Sequence, residues 1–275
     1  MRAALDIVIL GCGSSGGVPR ADGSWGACDP SEGRNARSRC SLLVRRASDA
    51  GADRQTTLVV DASPEFRLQC AAAGVRRLDG LLITHEHADQ CHGIDDIRAF
   101  AVRQRQQIPC WMNEATGEAM MGRFGYLFEG AGIYPAIADL RLTPPHGAPW
   151  QVDGPSGPIP VTTFGQAHGD LTVLGYRFGS VAYSSDVFDL PEESFALLSN
   201  LDLWIVDALR YEPHPTHAHV AKTLSWIERV RPRRAILTNL HVDLDYAELA
   251  RRLPPSVTPA HDGLRLRIEL GDVER

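Results

Sequence analysis

The feature that most constrains this chain is the run Thr84-His85-Glu86-His87-Ala88-Asp89-Gln90-Cys91-His92-Gly93, which follows the apolar stretch Leu81-Leu82-Ile83. A short apolar run bounded by polar residues reads as a buried strand. Two imidazoles and a carboxylate set just past its end are the ligand types of a borderline divalent cation such as zinc. A lone HxH in a polar loop carries little weight. HxHxD on the end of a buried strand asks for a fold that brings further ligands to the same place from distant segments.

The rest of the chain is compatible with such a fold. Strand patterns at Leu5 to Leu10, Cys40 to Arg46, Thr57 to Asp61 and Gly80 to Thr84 alternate with helical patterns at Pro64 to Ala73 and Ile94 to Gln107. Ser63 is a capping candidate for the first helix, with Pro64 at its first position and Gly74 beyond its end. After a Pro/Gly-rich, linker-like stretch from Thr143 to Pro160, strands are expected at Ile159 to Phe164, Thr172 to Arg177, Ser180 to Ser184, Leu201 to Val206 and Ala235 to Thr238, with a helix from about His217 to Val230. Two β-rich halves, each ending in β/α alternation, predict an α/β fold: one four-layer αββα sandwich of two mixed sheets flanked by helices, spanning residues 1–275 as one domain.

Composition narrows the function classes. At 275 residues, 44% hydrophobic and 23% charged, the chain is long enough to bury about three quarters of its unfolded surface. A net charge of −6 provides no field to gather a polymeric nucleic acid. The cluster Arg229, Arg231, Arg233, Arg234 reads as a solvated helix end. No run reaches the about 18 apolar residues of a membrane span, and no export signal is written at the N-terminus. The six cysteines are scattered without a CxxC pair, which suits reduced thiols and a cytoplasmic location. Gly11-Cys12-Gly13-Ser14-Ser15-Gly16 formally satisfies GxGxxG after a strand. The amphipathic helix a dinucleotide site needs does not follow, so it reads as a loop near the site's mouth.

The HxHxD run resembles the first motif of the metallo-β-lactamase superfamily, and later motifs match in order: His168 in Phe164-Gly165-Gln166-Ala167-His168, Asp186 in Tyr183-Ser184-Ser185-Asp186, and His241 in Leu237-Thr238-Asn239-Leu240-His241. The resemblance implies one or two divalent ions, zinc or manganese. His85, His87 and His168 would hold the first, Asp186 would bridge, and Asp89 with His241 would hold the second. This chain has Gln90 where the family usually places a second-site histidine. An amide oxygen is a poorer ligand for a borderline metal, so the second site should be weaker or select a harder ion, with single-metal occupancy open. His92 is the nearest substitute, or simply a helix-start residue. Asp61 resembles the family's acidic residue before the first helix, expected to accept a ring N–H from a ligand histidine and so fix its tautomer.

A second unusual segment is Arg210-Tyr211-Glu212-Pro213-His214-Pro215-Thr216-His217-Ala218-His219. With Thr216 as a helix cap, His217 and His219 fall in a first turn whose free N–H groups favour an anion. There, His217 would become charged only with a phosphate bound. The segment is similar to the histidine motif of the tRNase Z and cyclic-phosphodiesterase branch. GCGSSGGVPR at 11–20, WGACDP at 25–30, HGIDDIR at 92–98 and DALRY at 207–211 look most like the phosphoribosyl 1,2-cyclic phosphate phosphodiesterase group. The structural zinc of that group is not expected, because only Cys28 stands in the corresponding region.

The resemblance thus implies a phosphodiesterase acting on a small cyclic or nucleotide-like phosphodiester, using hydroxide from a water that the metal acidifies. Asp89 or Asp186 would orient that water. His217 would be the general acid, and Arg210, His214 and His219 would contact substrate. A lactone, thioester or β-lactam hydrolase on the same fold, and a metal-depleted phosphate- or nucleotide-binding domain, are the alternatives. Homodimerisation is open.

Overall fold

The computed structural model describes residues 4–47, 51 and 54–270. The first sheet contains β1 (Ala4–Gly11), β2 (Ser41–Arg46), β3 (Thr56–Val60), β4 (Gly80–Leu82), β5 (Ile108–Met112), β6 (Ala138–Leu142) and the last strand, β14 (Arg265–Glu269). The second contains β7 (Trp150–Val152), β8 (Ile159–His168), β9 (Leu171–Phe178), β10 (Val181–Ser184), β11 (Leu203–Asp207), β12 (Arg234–Thr238) and β13 (Val257–Pro259). Their spatial orders are β14-β1-β2-β3-β4-β5-β6 and β13-β12-β11-β10-β9-β8-β7. Each sheet is mixed: β3 to β6 run parallel, as do β10 to β13, while the other pairs are antiparallel.

Strand periodicity explains the layering. Along β1, Leu5, Ile7 and Ile9 face Tyr176, Phe178, Tyr183, Leu203 and Ile205 of the opposite sheet, while Val8 and Leu10 turn outward. The outer face of the first sheet packs on α1 (Phe66–Ala72), α2 (Ala88–Cys91), α3 (Arg98–Gln104) and α4 (Glu114–Glu129). That of the second packs on α5 (Glu192–Leu197), α6 (Val220–Val230) and α7 (Tyr246–Arg252). The expected four-layer αββα sandwich is therefore the observed one. No helix among the described residues is long and apolar enough to cross a membrane, and all six cysteines are free and buried.

Several local expectations are corrected. Helix α6 starts at Val220 with His219 as its cap, so Thr216 and His217 lie in the loop before it. Helix α1 starts at Phe66, and the Ser63 hydroxyl bonds the Gln69 side chain at 3.0 Å and accepts the Glu65 N–H at 3.3 Å. The helix expected from Ile94 to Gln107 is a 3-10 turn over Ile94–Ile97 followed by the shorter α3. The supposed linker contains β7, paired antiparallel to β8. The glycine-rich segment serves packing: a Cβ on Gly11 would fall 2.1 Å from the Arg39 carbonyl oxygen, and Gly13 bridges to Leu240.

Loop placement depends on equally tight packing at Gly93. Its N–H bonds the Ala62 carbonyl at 2.8 Å, the Ala62 N–H bonds the Gln90 carbonyl at 2.7 Å, and a Cβ on Gly93 would lie 2.0 Å from the Ser63 carbonyl oxygen. Because backbone must move to admit even one methyl, Gly93→Ala should cost about 1–3 kcal/mol. Urea unfolding of the two proteins checks this; an unchanged midpoint would contradict the packing argument.

Candidate metal centre

Every residue of the candidate centre lies at or just beyond the C-terminal end of a strand. Asp61 follows β3, His85 and His87 follow β4, His168 ends β8, Asp186 follows β10, Asp207 ends β11, and Asn239 and His241 follow β12. In the second sheet, β8 runs the same way as β10, β11 and β12, so all these ends gather along one edge of the sandwich. Three of the residues, Asp61, Asp186 and Asn239, have φ of 63°, 47° and 60°. Asp and Asn tolerate this left-handed region, and such strain held at a strand end is a feature of functional sites.

One ligand atom from each of His85, His87, His168 and Asp186 lies within 4.8 Å of every other. The three imidazoles form a triangle with ring centroids 4.5, 5.2 and 5.1 Å apart. Their hydrogen bonds leave the right nitrogens free. His168 donates Nδ1–H to the Thr216 carbonyl at 2.8 Å, which directs the Nε2 lone pair away from the loop. His85 Nδ1 meets the Thr84 hydroxyl at 3.0 Å, and Thr84 donates its N–H and hydroxyl to Asp61 at 2.8–3.1 Å. Asp61 thus acts on His85 through the threonine, where a direct bond to the imidazole was expected.

These donors fit a divalent cation. His85 Nε2 is buried without a partner and sits 3.6 Å from Asp186 Oδ2. Two ligand atoms each about 2.0–2.2 Å from one tetrahedral ion stand about 3.4 Å apart. Burial, reinforced by His87 and His168, holds His85 well below the usual histidine range. Burial and His217 likewise lower His168 to about 4. Both imidazoles are therefore neutral at pH 7, the form that binds metal. Burial pushes the Asp186 carboxyl upward; a cation beside it would reverse that.

Two further expected ligands sit differently. Asp89 lies outside the four-residue group; its Oδ2 is 3.4 Å from the Gln90 amide nitrogen. His241 is also outside. Its Nδ1 bonds Asp243 at 2.8 Å, and its Nε2 accepts a hydrogen bond from the Arg20 guanidinium. His92 is exposed, with its ring edge-on to Phe124 at 5.5 Å.

Residues 56–239 match the family described as the β-lactamase superfamily domain. The chain belongs to the metallo-β-lactamase superfamily. Among superfamily structures it is similar to a diphosphatase of the PhnP family, at 30% identity and a TM-score of 0.85, covering 98% of this chain and 99% of that one. The short form of human tRNase Z shares the fold at 14% identity and a TM-score of 0.61, covering 97% and 99%. A Porphyromonas gingivalis protein named octanoyltransferase is 30% identical over 266 residues, 95% of this chain. The chain spans only 51% of that relative, about half its length.

The loop between β11 and α6 supplies the remaining groups. His217 Nδ1 is 2.9 Å from Asp207 Oδ2, and its ring lies 4.6 Å from that of His168 and 5.2 Å from that of His214. Burial opposes charge on His217, yet the fully buried Asp207 carboxylate overcomes it and raises the imidazole to about 9. His217 is thus cationic at neutral pH without any bound anion, which corrects the expectation drawn from a helix terminus. His214 goes the other way: burial, His217 and Arg210 lower it. Its Nδ1 accepts the Thr216 N–H at 3.3 Å, leaving a hydrogen on Nε2. Arg210 spends its guanidinium on the carbonyls of Glu212 and Pro213 at 3.2 and 2.8 Å. His219 caps α6 by position only, without a side-chain bond to the helix. Asp207, Asn239, Thr84 and Arg20 are site residues that the sequence pattern does not single out. For Asp207 the available signal was an acid closing the apolar strand Leu203-Trp204-Ile205-Val206.

Proposed function

We propose that this chain is a metal-dependent hydrolase of small phosphodiesters, cyclic or nucleotide-like, with His217 as the acid that protonates the leaving group. The observation that carries the reading is the His217–Asp207 pair set against His168. A thiolate leaves a thioester without needing a proton, whereas the alkoxide expelled from a phosphodiester needs one, so a fixed proton donor beside the metal ligands suits phosphoryl chemistry over thioester cleavage. The likeness to a PhnP-family diphosphatase over nearly the full length of both chains supports the same side.

His85, His87, His168 and Asp186 would hold the cation. When bound, it supplies acidification of a water and neutralisation of phosphoryl oxygens. Asp89, half-buried next to Asp186, accepts a hydrogen bond from the attacking water and so orients it. His217 holds its transferable proton on Nε2, because Nδ1–H is committed to Asp207. After transfer, the imidazole keeps Nδ1–H and the correct orientation. His214 offers Nε2–H to a phosphate oxygen, and Arg210 keeps the His214 loop in shape. His219 stands at the same loop's end as a further substrate contact.

A substrate panel tests the proposal: ribose 1,2-cyclic phosphate, nucleoside 2′,3′-cyclic phosphates and dinucleoside diphosphates against lactones and thioesters. Turnover confined to the phosphate esters or anhydrides is the expected result. Turnover of lactones or thioesters alone would replace the reading with acyl hydrolysis, the direction in which the name of the octanoyltransferase relative points.

A further inference from the structure

The superfamily resemblance implies places for two cations, but the residues around the second do not fit one. Gln90 is 1% exposed, and its amide nitrogen lies 3.4 Å from both Asp186 oxygens and from Asp89 Oδ2. The Asn239 amide donates to Asp186 Oδ1 at 2.9 Å. The lone pair of His241 that would face a metal instead accepts from Arg20, a residue 221 positions away in the chain. Asp243 holds Nδ1 of the same ring, so no other nitrogen of His241 is free.

We infer that Gln90, Asn239 and Arg20 take the place of the second cation, so that the chain binds one metal ion, at His85, His87, His168 and Asp186. Carboxylates crowded at one spot need positive partners. In a two-metal site the second ion provides them. Here two neutral amide N–H₂ groups satisfy Asp89 and Asp186, and the fixed charge sits on an exposed guanidinium at His241. A second metal would need a ligand atom beside the Asp89 and Asp186 carboxylates, where Gln90 turns its donor N–H₂ group, 3.4 Å from their oxygens. Arginine cannot lose its proton at any working pH, so it cannot yield His241 to a metal as a neutral donor would.

This inference rests on the proposed metal-dependent reading, and one experiment separates the two. Apoprotein is titrated with Mn²⁺ and, separately, with Zn²⁺, desalted, and its metal content measured by mass spectrometry; Mn²⁺ samples are also examined by electron paramagnetic resonance. Wild type should retain one equivalent and show the spectrum of isolated Mn²⁺. Gln90→His combined with Arg20→Ala supplies a second-site imidazole and frees His241. That variant should take up a second equivalent and show exchange-coupled Mn²⁺. Two equivalents in wild type would overturn this inference alone, and zero would overturn the metal-dependent reading beneath it. A folded double variant, verified by circular dichroism, that still binds one equivalent would also overturn the inference. The wild-type stoichiometry decides the matter even if the variant does not fold.

Discussion

Replacing His85 with alanine should empty the protein of tightly held metal and remove phosphodiesterase turnover together. His85 brings a neutral, unpartnered Nε2 to the centre from a fully buried position. The activation supplied by such a cation is worth several kcal/mol, equivalent to about 10³-fold or more at 1.36 kcal/mol per decade. His168→Ala should behave alike. Thr84→Val should be milder, because it leaves the ligand and removes only the hydroxyl between His85 and Asp61. Losses of about 10- to 100-fold in metal affinity are typical of such supporting partners. Metal content and turnover of bis(p-nitrophenyl) phosphate, measured on folded protein, check the series. A His85→Ala protein with wild-type metal content and rate would remove the basis of the proposed centre.

The ligands of this centre differ in how far local sequence spacing defines them. His85 and His87 share one short run after an apolar strand, so local spacing sufficed. The two-sheet architecture was also legible, because strands buried on both faces print continuous apolar runs. Helix α4 was not foreseen: Gly117, Gly122 and Gly125 dilute its helical preference, and the backbone kinks at Phe124. Thr216 has the chemistry of a cap, but the Ala218 N–H is taken by the Val187 carbonyl and His219 is extended, so α6 starts only at Val220. Arg20 closes the GCGSSGGVPR motif, but nothing local ties it to His241. Its importance arises only when the glycine-rich loop crosses to the end of β12, a contact set by tertiary packing rather than by spacing.

The same distinction between local pattern and assembled geometry makes Asp207 the most informative position to alter. With Asp207 in place, His217 stays protonated up to about pH 9, whereas an ordinary histidine loses its proton near 6.5. An acid catalyst works while protonated, so its contribution is present below the raised pKa and fades as pH climbs through it. Wild-type kcat/KM should therefore fall on the alkaline side, at a higher pH than in a variant that lacks the Asp207 carboxylate. In Asp207→Asn the largest charge favouring the imidazolium is gone while burial still opposes it, so the falling limb should move to lower pH. At pH 7.5 the loss for a substrate with an alkoxide leaving group should be about 10²- to 10⁴-fold, the usual worth of a positioned proton donor. His217→Ala should show the same loss without a shifted limb. The leaving group separates chemistry from structure: p-nitrophenolate departs without a proton, so both variants should hydrolyse p-nitrophenyl esters within about tenfold of wild type. Equal losses for alkoxide and p-nitrophenolate substrates, with an unmoved pH profile, would mean that His217 and Asp207 merely support the loop.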